Sequence, residues 1–132
     1  MSQATFYMLT AVGQPNRKEI MKIAIGIKDK ESKEINEMFA RSPLFQILEI
    51  KDDKIASEEF IDNNFSSQTS GAGTAVVEQL AKLQIDSIIC ANLGPKAMDL
   101  CKQLQIKAYK TDLKSSQEAV EQLINNNLSE IN

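Results

Sequence analysis

The chain has 132 residues, 42% of them hydrophobic and 25% charged, with 15 Lys+Arg against 18 Asp+Glu for a net charge of −3. That length supports one domain with a real core, burying roughly two-thirds of its unfolded surface. The charge balance, the 5% aromatic content and the lack of Trp speak against a nucleic-acid surface. No apolar run approaches the ~20 residues of a membrane span, and a chain without histidine lacks the commonest metal ligand and general base.

Residues 1–20 read as an appendage. The piece Ala4 to Val12 is apolar but interrupted, Gln14-Pro15-Asn16-Arg17-Lys18 is turn-like, and no secretory pattern is present. The expectation is a poorly ordered tail, with the domain spanning residues 21–128. Met21 to Ile27 alternates and is rich in β-branched residues, which predicts a first strand. Lys28 to Lys33 is a charged loop. Glu34 to Phe39 suits a short helical turn with Ile35, Met38 and Phe39 on one side, stopped at Ser42-Pro43. Leu44 to Ile50 is a nearly continuous apolar run, hence a strand buried on both faces. Asp52-Asp53-Lys54 turns the chain, and it returns to Asp62 as a more polar edge strand.

The loop Ser66 to Gly73 then opens a helix whose stripe is Ala72, Val76, Leu80 and Leu83. Ile85 to Ala91 is a buried strand. Asn92-Leu93-Gly94-Pro95 starts the next helix, with Pro95 in the first helical position and Ala97, Leu100, Cys101 and Leu104 facing inward. Lys107 to Lys110 is a short strand. Ser115-Ser116-Gln117-Glu118 is a capping box for a last helix, and Asn125 to Asn132 is expected to fray. A hairpin followed by βα repeats predicts an α/β fold: one mixed sheet with helices on both faces. In such sheets ligands bind at the carboxyl ends of strands, near a switch in strand order. Lys28–Arg41, Asn63–Gly73 and Asn92–Pro95 would converge there.

Several side chains on those loops have two readings. Gly71-Ala72-Gly73 could hold an anionic group on the helix N-terminus; alternatively Gly73 permits close packing and Ser70 is a simple N-cap. Arg41 could face the crevice and pair with an anionic cluster or phosphate, or anchor its loop to a carboxylate. Asn92 could bind a ligand or cap the helix that follows. Met38 is expected to fill the core. Cys90 and Cys101 match no zinc or cluster spacing and are expected to pack as small hydrophobes, which fits a reducing cytoplasm. Catalysis has little support, because the first strand carries no carboxylate and no nucleophile–histidine pair can form.

The order of motifs adds a further indication. Met-Lys-Ile-Ala-Ile from Met21, Glu37-Met38-Phe39-Ala40-Arg41-Ser42-Pro43-Leu44-Phe45, Ser70-Gly71-Ala72-Gly73, Asn92-Leu93-Gly94-Pro95-Lys96-Ala97 and Ile106-Lys107-Ala108-Tyr109 follow one another. This set resembles the dinitrogenase iron–molybdenum cofactor biosynthesis family, carrier proteins of the NifX and NifB-tail type, over about Met21 to Leu128. The resemblance implies a three-layer, ribonuclease-H-like α/β/α fold, with five strands in order 3-2-1-4-5 and strand two antiparallel. It also implies a non-catalytic cytoplasmic carrier for an iron–molybdenum cofactor precursor or iron–sulfur cluster, with cluster-assembly proteins as partners. Carried over by motif, the binding residues are Met38, Arg41, Ser70, Gly71, Gly73 and Asn92. Members commonly have histidines where this chain has Met38 and Ser70, so imidazole ligation is ruled out here. The soft donors left are Met38, Cys90 and Cys101. The alternative is an interaction or regulatory module of the same fold that has lost the cluster site.

Overall fold

A computed structural model describes residues 20–132. The expectations for residues 1–19 lie outside the described residues. Strands β1 (Ile20–Ile27), β2 (Leu44–Lys51), β3 (Lys54–Asp62), β4 (Ser87–Cys90), β5 (Lys107–Lys110) and β6 (Ser129–Glu130) form one sheet in the order β3-β2-β1-β4-β5-β6. Helices α1 (Ala72–Lys82), α2 (Pro95–Gln103) and α3 (Ser116–Ile124) complete the fold, with a 3₁₀ turn at Phe39–Arg41. The expected order 3-2-1-4-5 is present, and a sixth strand extends it.

The sheet is mixed because its connections differ. Asp52 and Asp53 both adopt left-handed φ values of 54° and 61°, so a two-residue turn closes the β2–β3 hairpin with the twist that antiparallel strands favour. β2 also pairs antiparallel with β1, from Ile20 opposite Lys51 to Ile27 opposite Leu44. β4 pairs parallel with β1, and β5 parallel with β4. Two antiparallel steps make β3 run with β1, so four strands end at one rim. α1, α2 and α3 each begin there.

Period-two alternation sorts the sheet's apolar residues onto two faces. Ala24, Phe45, Ile47, Ile88 and Cys90 meet Val76, Val77, Leu80, Ala97 and Cys101 from α1 and α2. Ile23, Ile25, Ile27, Leu48 and Ile89 meet Ala119, Val120 and Leu123 from α3. Each fully buried Ile or Leu contributes about 1.5–3 kcal/mol, against ~0–1 for a surface ion pair. The two apolar layers therefore carry the fold, and the exposed Lys28–Glu34 pair at 3.0 Å adds little.

Five expectations need correction. Asn125 to Asn132 does not fray: Ile131 N–H donates to the Ala108 carbonyl at 2.8 Å, and the Asn132 amide accepts from Ala108 N–H at 2.9 Å and donates to the Ile106 carbonyl at 2.7 Å. Leu83 and Leu104 are half-exposed, at 36% and 43%. They are the C-cap residues just past α1 and α2, where the helical stripe no longer holds. Met38 is 49% exposed. Residues 34–39 form no helical turn of their own, since Ile35 bridges to Ile27 as extended chain and only Phe39–Arg41 coils. Met38 therefore stays on the outside, while Ile35 and Phe39 go in, the Phe39 ring centroid 5.1 Å from that of Phe45. β1 begins at Ile20, one residue before the expected start.

Candidate functional site: the carboxyl rim of the sheet

The rim is assembled around the Phe39–Arg41 turn. Phe39 N–H donates to the Asn92 carbonyl at 3.2 Å, and the Asn92 side-chain amide donates to the Glu37 carbonyl at 3.1 Å. Those two bonds sew the loop after β1 to the loop after β4. Asn92 therefore does not cap α2, whose N-cap is Gly94 without a side-chain bond.

Arg41 ties the turn to the loop after β3. Its Nη1 donates to the Ser66 carbonyl at 2.9 Å and also to the Gln68 carbonyl. The partners are backbone carbonyls and not a carboxylate, so the anchoring role holds with a different acceptor. A guanidinium suits that task because it presents several donors in a fixed fork. The Gln68 amide in turn donates to the Ser70 carbonyl at 2.7 Å. The loop ends at Gly71, in the left-handed region at φ 75°. Gly71 is the N-cap of α1, one residue later than expected, and Ser70 makes no cap bond. A side chain at Gly71 would be strained, which is the reason for glycine there.

Gly73 is governed by packing. A Cβ on it would lie 3.0 Å from Ala97 Cβ and 4.0 Å from Ala40 Cβ. Its small size lets the first turns of α1 and α2 approach each other and the 3₁₀ turn. Both helices start without a side-chain cap, so their first N–H groups and the positive ends of their dipoles face the rim. Arg41, Gly73 and Asn92 all touch the one turn, Ser70 and Gly71 lie on the loop Arg41 holds, and Met38 stands on the turn's outer side. Loops distant in sequence do converge.

Asn63 is a positioning residue that the sequence reading missed. It is 6% exposed. Its Nδ2 donates to the Ala40 and Ser42 carbonyls, each at 2.9 Å, while its Oδ1 accepts from Phe65 N–H at 2.9 Å. The signal available was an Asx-turn residue straight after a strand.

The thiols are elsewhere. Cys90 and Cys101 are buried in the layer beneath α1 and α2. Burial pushes the Cys90 thiol up to about 12 and the Cys101 thiol up to about 11. Neither is a ready thiolate ligand at neutral pH. Among the described residues no three Cys, Asp or Glu side chains gather where they could hold a metal ion. No helix among them is long and apolar enough to cross a membrane.

Comparison with known proteins agrees with this architecture. An uncharacterized protein of Methanocaldococcus jannaschii is 33% identical over 102 residues, covering 77% of this chain and 84% of that one. The apo orange protein of Desulfovibrio gigas superposes with a TM-score of 0.75 at 20% identity, covering 87% of this chain and 96% of that one. A candidate NifB protein from Thermotoga superposes with a TM-score of 0.69 at 26% identity, covering 83% and 92%. The family model described as dinitrogenase iron-molybdenum cofactor matches residues 21–126. This chain belongs to the dinitrogenase iron–molybdenum cofactor family.

Proposed function

We propose that this chain is a small cytoplasmic carrier that holds an anionic metal–sulfur cargo, an iron–molybdenum cofactor precursor or an iron–sulfur cluster, at the carboxyl rim and hands it to assembly proteins unchanged. The observation that carries this reading is the meeting of two uncapped helix N-termini at one turn. Backbone N–H groups and helix dipoles stabilise negative charge without chemistry. The exposed thioether of Met38, adjoining the same turn in sequence, is the one soft donor open to solvent there.

The donor set suits loose holding rather than full ligation. With buried thiols and no histidine, most of the attraction would come from N–H groups and charge. Cargo held that way can leave, as a carrier requires. Ser70, Gly71 and Gly73 would contribute main-chain donors and close approach. Arg41 and Asn92 act mainly on the loops that present them.

The same donor set supports a second reading, in which the chain is an interaction or regulatory module without cargo. Anaerobic reconstitution with iron and sulfide separates the two. The carrier reading expects visible absorption and near-stoichiometric iron, reduced in Met38→Ala. A colourless protein with no retained iron leaves the interaction module.

A further inference from the structure

The loop Asp29–Lys33 leaves the end of β1 and reaches across to β3. Lys33 Nζ lies 2.9 Å from Glu58 Oε2, and the Lys30 and Lys33 ammonium groups stand 5.6 and 5.8 Å from the Phe60 ring centroid. The loop is organised within itself. Lys33 N–H donates to the Asp29 carbonyl at 3.1 Å, Ser32 N–H to Asp29 Oδ1 at 2.6 Å and Glu34 N–H to Ser32 Oγ at 3.2 Å. A separate stem closes its base, where Lys28 N–H donates to the Glu34 carbonyl at 2.8 Å and Asn36 N–H to the Gly26 carbonyl at 3.0 Å. The Lys33 carbonyl also accepts from the N–H of Ser116, the first residue of α3, at 3.1 Å.

Two features bring this closed arrangement close to balance. Lys33 holds a left-handed φ of 53°, which costs any residue that carries a Cβ. Gln46, opposite Phe60 in the β2–β3 register, is 3% exposed. Its Nε2 donates to the same Glu58 Oε2 at 2.6 Å, but its Oε1 is buried with no donor among the described residues. A buried acceptor left without a donor costs more than a half-exposed ion pair contributes, and exposed cation–π contacts add little. Lifting the loop lets water reach Gln46 and releases Lys33 from its strained conformation.

We propose that Asp29–Lys33 is a hinged strap that opens as a unit over Gln46 and Phe60, latched by Lys33 on Glu58, while its stem and the sheet stay closed. Opening breaks the Lys33–Glu58 pair and the Ser116–Lys33 hydrogen bond, and it uncovers the Gln46 carbonyl and the Phe60 ring. The strap does not depend on any cargo at the rim turn.

The test is hydrogen exchange followed by NMR on the apo full chain at one pH and ionic strength. Ser116 N–H and the Gln46 side-chain amide protons should exchange faster than the stem amides of Lys28 and Asn36. Glu58→Gln removes the latch charge and should speed Ser116 about three- to fivefold, with no change at Lys28, Asn36 or the core amide of Ala24. Glu58→Lys should speed it further, and the exchanged pair Lys33→Glu/Glu58→Lys should return it toward the wild-type rate, which a simple loss of packing would not do. Equal rates at Ser116 and the stem in the wild-type chain would overturn the proposal. So would a Ser116 rate that Glu58→Gln leaves unmoved, a rise shared with Ala24, or a double variant as fast as Glu58→Lys alone.

Discussion

A Cβ placed on Gly26 would stand 2.1 Å from Ser42 Oγ. Gly26 is the penultimate residue of β1, inside a strand, where glycine normally weakens pairing. Here the strand passes close under the rim turn, and the same Cβ would also lie 3.3 Å from the Phe39 carbonyl oxygen. Gly26→Ala therefore sets a small backbone gain against a steric clash in a closed site, and the clash wins. The expected loss is about 2–3 kcal/mol, and Ser42→Gly in the same chain should recover much of it. Urea unfolding of the two variants measures both; a neutral single variant would mean the turn can move away freely.

All three helices end in the same way. Gln84, Gln105 and Asn126 sit at φ 63°, 62° and 62°. Behind them Ile85, Ile106 and Asn127 N–H groups reach back to the Leu80, Cys101 and Gln122 carbonyls at 3.1, 2.8 and 2.8 Å. This is the Schellman arrangement, with a side-chain-bearing residue at the position glycine favours. Replacing each by Gly relieves left-handed strain that costs about 1–2 kcal/mol, part of which returns as unfolded-state entropy. Each variant should gain about 0.5–1 kcal/mol, and distant sites should add. Chemical denaturation of the single and triple variants decides this.

Much of the architecture was legible because it rests on local patterns. The Leu44–Ile50 run, Pro95 at the first position of α2 and the Ser115 hydroxyl accepting from Glu118 N–H at 3.3 Å all appear where the sequence puts them. What was missed depends on contacts remote in sequence. β6 has two residues and exists because Asn132 and Ile131 find β5. Met38 was placed inside by helical spacing, and that logic fails where the turn is three residues long. On the rim, the residue types pointed to the right loops. That Arg41 and Asn92 spend their side chains on carbonyls of neighbouring loops was not readable from spacing.

Asn132 gives the missed strand its own test. The side chain makes both of its bonds to main-chain groups around β5, at 2.9 and 2.7 Å. Asn132→Ala should destabilise by about 1–2 kcal/mol. Hydrogen exchange at Ala108 should quicken in step. Unchanged exchange there would show that the C-terminal residues contribute no protection.

The buried thiols set an alkaline limit on stability. Their folded values of about 12 and about 11 lie above the unfolded value near 9, so the unfolded chain loses these protons first as pH rises. Stability is then full below about pH 8 and falls from there toward 11. Tyr109, raised by burial and by the Glu130 carboxylate, acts in the same direction. Cys90→Ala/Cys101→Ala should flatten this limb even though it creates small cavities. In the native wild-type chain neither thiol should react with a disulfide reagent at pH 7.5, and both should react in urea.

Arg41 distinguishes a residue that positions a loop from one that only meets cargo. Its Nη1 holds the Ser66 and Gln68 carbonyls, and Gln68 in turn holds Ser70, the residue before the Gly71 cap. Arg41→Lys keeps the charge and loses the fork. Amide exchange over Gln68–Ala72 should then rise several-fold in apo protein, a readout that needs no ligand at all. Global stability should fall by no more than about 1–2 kcal/mol, since both acceptors are at the surface and can turn to water. If exchange over that loop is unchanged in Arg41→Lys, the loop is held by Asn63 and its own turns, and the guanidinium is free to serve cargo directly.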